Sequence, residues 1–236
     1  MKKQVSISIA VPAFNEEKNI GPTLDGILAE VPKITRDFEI IVIDDGSTDE
    51  TGKIADKYSR KYPQIRVIHH RINQRFGTSI RDGLAVATKE YFIGFPGDND
   101  TSPVSLRQII GKAHGNYIIN SYTSDPNARS FLRNTISKIF ILLMNLLFGL
   151  NFRYFNGSFV CKTSMLKSIS LKSKGLAIYA ESKVRLLKKG YPYEEIPFDH
   201  ISRKYGRSTA LTWKSFKDTF ETVVTLLTDT YIKRAW

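Results

Sequence analysis

Phe38-Glu39-Ile40-Ile41-Val42-Ile43-Asp44-Asp45-Gly46-Ser47-Thr48-Asp49 sets a nearly continuous apolar run directly against an acidic, turn-forming segment. A run of that kind predicts a strand buried on both faces of a parallel sheet. Working outward, the flanking segments alternate strand and helix patterns. Val5–Val11 is rich in β-formers, and Asn19–Glu30 carries Ile20, Leu24, Ile27 and Leu28 on one helical face. Asp49–Tyr62 predicts a second helix, stopped by Pro63, and Ile65–Ile68 a third strand. Ser79–Thr88 predicts a third helix and Tyr91–Phe95 a fourth strand, stopped by Pro96-Gly97. Strand–helix–strand units repeated at this spacing predict an α/β fold, a mostly parallel central sheet flanked by helices.

The chain has 236 residues, 42% apolar and 25% charged, which supports a packed core and excludes wholesale disorder. At about 150 residues per domain, this length suits one large domain or one domain with an elaborated tail. Lys and Arg number 35 against 23 Asp and Glu, a balance of +12. Such a balance suits an anionic partner: nucleic acid, a phosphorylated substrate or an acidic membrane surface. The single cysteine, Cys161, excludes an internal disulfide framework and a Cys-built zinc site, and a reducing compartment is the plain expectation. Met1–Gln4 lead into a strand-like run and not into a long apolar signal region.

Ligands of parallel α/β sheets bind at the carboxyl ends of the strands. Three acid-bearing loops follow the predicted strands: Pro12-Ala13-Phe14-Asn15-Glu16-Glu17, Asp44–Asp49, and Gly97-Asp98-Asn99-Asp100. Asp98 and Asp100 can face one divalent cation if the backbone turns between them, and Gly97 permits such a turn. The same residues also suit a plain Asp/Asn turn after a strand. In Asp44–Asp49, Thr48 or Asp49 can cap the following helix. Asp44, last on its strand, can instead accept hydrogen bonds from a base N–H or a ribose hydroxyl.

The second half is less regular. Arg129–Leu150 predicts a long helix whose apolar part, Ile136–Leu150, contains Lys138 and Asn145. At 1.5 Å per residue that part reaches about 22 Å, short of a ~30 Å hydrocarbon core, so it is expected to be buried or interfacial. Tyr154–Cys161 reads as loop then strand, Tyr179–Lys189 as helix and Tyr193–Pro197 as a short strand before the basic stretch Asp199–Ser208. Near the C-terminus Phe216, Phe220, Val223, Val224, Leu227 and Tyr231 recur at helical spacing, flanked by Lys214, Lys217, Lys233 and Arg234. That helix either lies in a membrane interface or packs on its own domain. The expected organisation is one domain over 1–208, with a first half of about 1–115 and a second half of about 116–208, followed by an amphipathic helical extension over 209–236.

Taken jointly, the segments V-P-A-F-N-E-E, I-V-I-D-D-G-S-T-D-E-T and G-D-N-D resemble glycosyltransferase family 2, with the GT-A nucleotide-diphospho-sugar fold. The likeness covers about Ile7–Arg207. Within the family it is most similar to polyprenyl-phosphate sugar transferases such as dolichyl-phosphate mannose synthase. The resemblance implies a metal-dependent inverting transferase that moves a sugar from a nucleotide-diphospho-sugar to a polyprenyl phosphate. The alternative acceptor is a sugar hydroxyl of a polysaccharide or glycolipid. Pro12, Phe14, Glu16, Val42, Asp44, Asp98 and Asn99 would hold the nucleotide-sugar. Asp98 and Asp100 would hold Mg2+ or Mn2+ and the diphosphate. Arg203, in the segment resembling R-x-x-G-x-S, would neutralise charge on the leaving group, and Arg133 with Ser137 would take the acceptor phosphate. Arginine offers phosphate a planar fork, and a helix start adds backbone N–H donors.

Several positions depart from the family pattern. Ser102 stands where the lipid-phosphate enzymes have glutamine, Asn120-Ser121-Tyr122 lacks an arginine, Thr209 replaces a lysine, and Arg153 and Asn156 stand near a usual acidic position. A lipid phosphate is already a nucleophile and needs no strong base, whereas a hydroxyl does. Glu181 is then either that base or an ordinary acid at a helix start. His69 and His70 end a strand outside the acidic loops and are expected to be structural. No G-x-G-x-x-G follows the first strand, against a dinucleotide enzyme, and the glycine-free first loop argues against a nucleotidyltransferase. No nucleic-acid-binding motif is present, so nucleic acid is not an expected partner. The expected setting is the cytoplasmic face of a membrane, with a homo-oligomer or a membrane-protein partner conceivable from the apolar helices.

Overall fold

A computed structural model of the chain describes residues 4–123, 131–198 and 212–232. Among them seven strands form one sheet: β1 (Ile7–Ala13), β2 (Phe38–Asp44), β3 (Ile65–His69), β4 (Tyr91–Gly94), β5 (Ile118–Thr123), β6 (Phe159–Lys162) and β7 (Tyr193–Phe198). Their order is β3-β2-β1-β4-β6-β5-β7. β1 to β4 run parallel, as the alternating pattern predicts. β6 is inserted antiparallel between β4 and β5, and β7 returns parallel to β5. The helices are α1 (Ile20–Glu30), α2 (Thr51–Lys61), α3 (Phe76–Val86), α4 (Pro103–Gly111), α5 (Phe131–Phe148), α6 (Thr163–Lys167), α7 (Ile178–Lys188) and α8 (Trp213–Leu227). Helix α4 and strand β5 are additions to the sequence-based expectation.

Local sequence explains the boundaries. α1 presents Ile20, Leu24 and Ile27 to the core, and the chain leaves it through a tight turn at Val31-Pro32-Lys33. α2 ends at Lys61 because Tyr62, before Pro63, is held extended. Strand residues alternate between two cores. Ile7, Ile9, Val11, Ile40 and Val42 pack with α1, α2 and α4, whereas Ala10, Ile41 and Ile43 pack with α3, α6 and α7. Each fully buried Ile or Val contributes roughly 1.5–3 kcal/mol relative to exposure. A third apolar cluster lies further out, where Met144 and Phe148 of α5 meet Ala180 and Val184 of α7 and Leu226 of α8.

The C-terminal helix packs on its own domain through one face and leaves another, apolar face exposed. Asp218, Thr222 and Leu226 face inward and are buried. Phe216, Phe220 and Val224 face outward and are exposed, as are Ile139, Leu142, Leu143 and Leu146 on α5. No described helix is long and apolar enough to cross a membrane.

Candidate active site at the carboxyl edge of the sheet

Parallel register brings the ends of β1, β2 and β4 together. Ala13 pairs with Asp44, and the chain beyond each strand is stitched to its neighbour: Asp45 N donates to Ala13 O at 2.8 Å and Gly97 N to Pro12 O at 2.9 Å. The first two acidic loops are then laced together. Asn15, in a left-handed conformation (φ 54°), donates its N–H to Ser47 Oγ at 3.0 Å and accepts Thr48 N at 2.9 Å. Glu16 N donates to Thr51 Oγ1 (2.7 Å) and Glu17 N to Asp49 Oδ2 (3.1 Å). Asp49 therefore ties two loops as well as the start of α2. Burial opposes its ionisation, but hydrogen bonds from the Thr51 hydroxyl and N–H outweigh burial and hold its carboxyl below the usual range.

Asp44 is buried at the strand end. Its Oδ1 accepts Ser47 N at 3.1 Å and its Oδ2 lies 3.0 Å from His69 Nδ1. His69 Nε2 lies 3.0 Å from Asp56. The Asp44 carboxylate raises the His69 pKa above its ordinary 6.5; partial burial opposes this and Asp56 adds to it. Asp45 is backed in the same way by His70, 2.7 Å away, and accepts Gln74 N and Arg75 N, each at 2.8 Å. The two histidines thus support the acidic loop directly, a correction to their expected place outside it. The available signal was register: Asp44 pairs with His69, so a consecutive Asp pair at one strand end faces a consecutive His pair at the next.

The third loop turns at Asn99, whose φ of 53° is the left-handed conformation Asn tolerates. Gly97, expected to permit the turn, has no positive φ and is instead closely packed: a Cβ there would lie 3.1 Å from Ala13 Cβ, Ile20 Cδ1 and Pro12 O. Asp98 Oδ1 accepts Asp100 N at 3.4 Å, and Asp100 Oδ1 accepts the Thr101 hydroxyl at 3.1 Å. Beneath this turn Tyr179 of α7 donates its hydroxyl to Gly94 O at 3.0 Å. Burial pushes its pKa up, a hydrogen bond with Ser158 opposes this, and the charges of Asp98 and Asp100 add to the rise. Hard carboxylate oxygens are the right donors for Mg2+ or Mn2+, which commonly use one or two carboxylates and complete their shell with phosphate oxygens and water. Among the described residues no group of three or more His, Cys, Asp or Glu forms a closed cage. The donor set therefore fits a cation shared with a phosphorylated substrate.

Other expected site residues fall differently. Phe14 is exposed at the edge, and Glu16 accepts Asn19 Nδ2 at 2.6 Å while its carbonyl opens α1. Pro12 and Val42 are buried; Val42 packs wholly within the core, so it supports the site from below and its side chain does not reach the edge. Glu181, the candidate base, is 1% exposed, accepts Lys172 N and Ser173 N, and is paired with Arg185 at 2.9 Å. Arg185 also binds Asp229 at 2.7 Å. A carboxylate whose lone pairs are so engaged is a structural strut, which replaces the reading of Glu181 as a base. Arg133 and Ser137 lie one turn apart on α5. Arg203 lies outside the described residues.

The sheet with its acidic carboxyl edge is the GT-A architecture. The chain belongs to glycosyl transferase family 2, whose model matches residues 8–170, and it is a glycosyltransferase. It is 28% identical to an uncharacterised protein of Methanocaldococcus jannaschii, over 88% of this chain and 90% of that one. It is 31% identical to a dolichyl-phosphate beta-glucosyltransferase of Trichomonas vaginalis over 55% of this chain, and spans only 40% of that enzyme. An undecaprenyl-phosphate 4-deoxy-4-formamido-L-arabinose transferase of Photorhabdus laumondii is 25% identical over 56% of this chain, which covers 41% of it. Among solved structures, glucosyl-3-phosphoglycerate synthase of Mycobacterium tuberculosis, in complex with Mn2+, uridine diphosphate and phosphoglyceric acid, matches with a TM-score of 0.73. That match covers 96% of this chain and 80% of the other at 17% identity, a likeness of fold.

Proposed function

We propose that this chain transfers a sugar from a nucleoside-diphosphate donor to a polyprenyl phosphate, with inversion at the anomeric carbon. The observation that carries the reading is the convergence of three acidic loops at one sheet edge, ending in the two-carboxylate turn Asp98-Asn99-Asp100. Asp44 and the Asn15–Ser47 lacing would seat the nucleoside, with Phe14 and Glu16 beside it. Asp98 and Asp100 would hold Mg2+ or Mn2+ with the diphosphate. The bound cation would neutralise charge on the departing diphosphate. Arg203 would add to that neutralisation, and Arg133 with Ser137 would take the acceptor phosphate.

In this reading a phosphate oxygen of the lipid attacks the anomeric carbon. The bond from that carbon to the diphosphate breaks, and the nucleoside diphosphate leaves with the electron pair. No proton has to move, which agrees with the engagement of Glu181 in a buried ion network. The names of the dolichyl- and undecaprenyl-phosphate relatives support a lipid acceptor. The exposed apolar residues of α5 and α8 support peripheral contact with a membrane, with 1–208 as the catalytic domain and 209–236 as the extension that meets the lipid.

The test is transfer in detergent or vesicles from a panel of uridine-, guanosine- and cytidine-diphosphate sugars to undecaprenyl phosphate, read by mass spectrometry with Mg2+, Mn2+ or chelator. Metal-dependent formation of one lipid-linked sugar is expected, with Asp98→Asn lowering the rate by about 10²–10³-fold. Transfer to a hydroxyl acceptor only would overturn the acceptor assignment. Near-full activity of Asp98→Asn would overturn the site.

A further inference from the structure

The segment before α7 and the inner side of α8 enclose a groove of about 380 Å3, lined by none of the three acidic donor loops. It is built at a crossing of elements. Arg75, held at φ 79° with its N–H on Asp45, reaches across to Asp218 of α8 at 3.1 Å. Gly175 fits closely below, where a Cβ would lie 2.1 Å from Asp218 Oδ2. Three carboxylates line the groove, and each already has a cation: Glu181 has Arg185, Asp218 has Arg75, and Glu221 has Lys217 at 3.9 Å. Lys172 is taken by Asp229 at 2.9 Å.

Two lysines of the lining are left over. Lys174 and Lys214 are exposed and have no ion-pair partner among the described residues. With them stands Ser173, a lining residue 5% exposed, whose buried hydroxyl has no hydrogen-bond partner among the described residues. A buried hydroxyl in need of an acceptor, beside two uncompensated ammonium groups, calls for an anion with several acceptor oxygens. Phosphate has that chemistry.

We propose that this groove binds a phosphate group, carried by a soluble phosphate ester or by the headgroup of a membrane lipid. Ser173 donates to one oxygen, and Lys174 and Lys214 neutralise the charge from opposite walls. The outward face of α8, with Phe216 and Phe220 exposed, begins one helical step from Lys214 and Lys217, where a lipid chain would continue. The inference depends neither on the donor site nor on the acceptor reading above.

Binding of inorganic phosphate and of a short-chain isoprenyl phosphate would be measured by calorimetry on the full chain. Lysine acetylation footprinting and mass spectrometry would be run alongside. Both Lys174 and Lys214 should be protected by the bound probe, while exposed Lys53 stays reactive. The double variant Lys174→Gln/Lys214→Gln should weaken binding at least about tenfold, because it removes two charge-assisted hydrogen bonds. Lys174→Arg/Lys214→Arg should retain it, and Ser173→Ala should weaken it severalfold. Tighter binding of the isoprenyl phosphate that the double variant removes identifies a lipid headgroup; equal binding of the two probes identifies a soluble ester. Absence of binding at millimolar probe, or binding indifferent to the double variant with an unchanged melting curve, would overturn the proposal. A chain that fails every transfer assay could still pass this test, so the two readings fail separately.

Discussion

The donor edge and the outer helical layer both bury acidic residues, and they use them in opposite ways. At the edge, Asp44, Asp45 and Asp49 accept backbone N–H groups, hydroxyls and histidines, which fix loops while leaving Asp98 and Asp100 at the rim. In the outer layer, Glu181 and Asp229 are paired with the buried Arg185, and Asp229 with Lys172 as well. An acid at a strand end is thus organised for a ligand, whereas an acid between helices is organised for the fold. The same contrast governs apolar residues. Strands β1, β2 and β4 bury every Ile and Val they carry, while α5 and α8 keep part of their apolar residues in solvent.

The largest effect should come from Arg185→Met. It leaves the buried Glu181 without its cation and Asp229 with Lys172 alone, and should lower stability by about 3–5 kcal/mol in urea denaturation, because an uncompensated buried charge is left behind. If the loss were under about 1 kcal/mol, the size of an exposed pair, the outer layer would not be held by this triad. Gly46→Ala comes next. Gly46 sits at φ 75°, and a Cβ would lie 2.5 Å from the Ile72 carbonyl carbon. The strain should cost about 1–3 kcal/mol and shift the Asp44–Ser47 turn. The thermal shift given by the donor nucleotide should therefore shrink in this variant and stay full-sized in Gly190→Ala, where φ is also positive but the space is open. Equal donor shifts in the two variants would sever the link between loop lacing and the nucleoside.

How much of this was readable before the fold follows from the range over which each feature is specified. The four parallel strands and their loops are local patterns, so Phe38–Asp49 and Gly97–Asp100 could be placed from the sequence alone. Helix α4 and strand β5 carry weaker signals: nine residues opened by Pro103 and interrupted by Ser105 and Gln108, then a strand ending in Asn120-Ser121-Tyr122-Thr123. The pairing of Asp44 with His69 needs strand register, which no single segment contains. Glu181 shows the limit most plainly. Its spacing of four from Arg185 was a local hint of an ion pair, but Asp229 lies 44 positions beyond Arg185 and completes the triad only in the folded chain.

Phe216→Ser/Phe220→Ser addresses the outer layer's exposed face. Both side chains are in solvent, so chain stability should stay within about 0.5 kcal/mol. Partitioning onto vesicles containing anionic lipid should fall at least about tenfold, since two aromatic contacts with the interface are lost. Unchanged partitioning would leave the apolar face of α8 without a membrane role and return the contrast between the two regions to packing alone.

The smallest effect is the pH response of His69, and it sharpens the donor edge. Asp44 raises the folded-state pKa above 6.5, so the protonated ring is favoured in the folded chain. The stabilisation is fully present below 6.5, the unfolded value, and is lost as pH rises through the raised folded value. Because the ring is 44% exposed, solvent screening should hold the contribution below about 1 kcal/mol. His69→Gln keeps a donor for Asp44 but cannot titrate, so its melting temperature should lack the part of the decline that the wild type shows above pH 6.5. Superimposable pH profiles for the two chains would mean that the ring titrates alike in the folded and unfolded chain, so that Asp44 draws no extra charge compensation from His69 at the place where the nucleoside is proposed to bind.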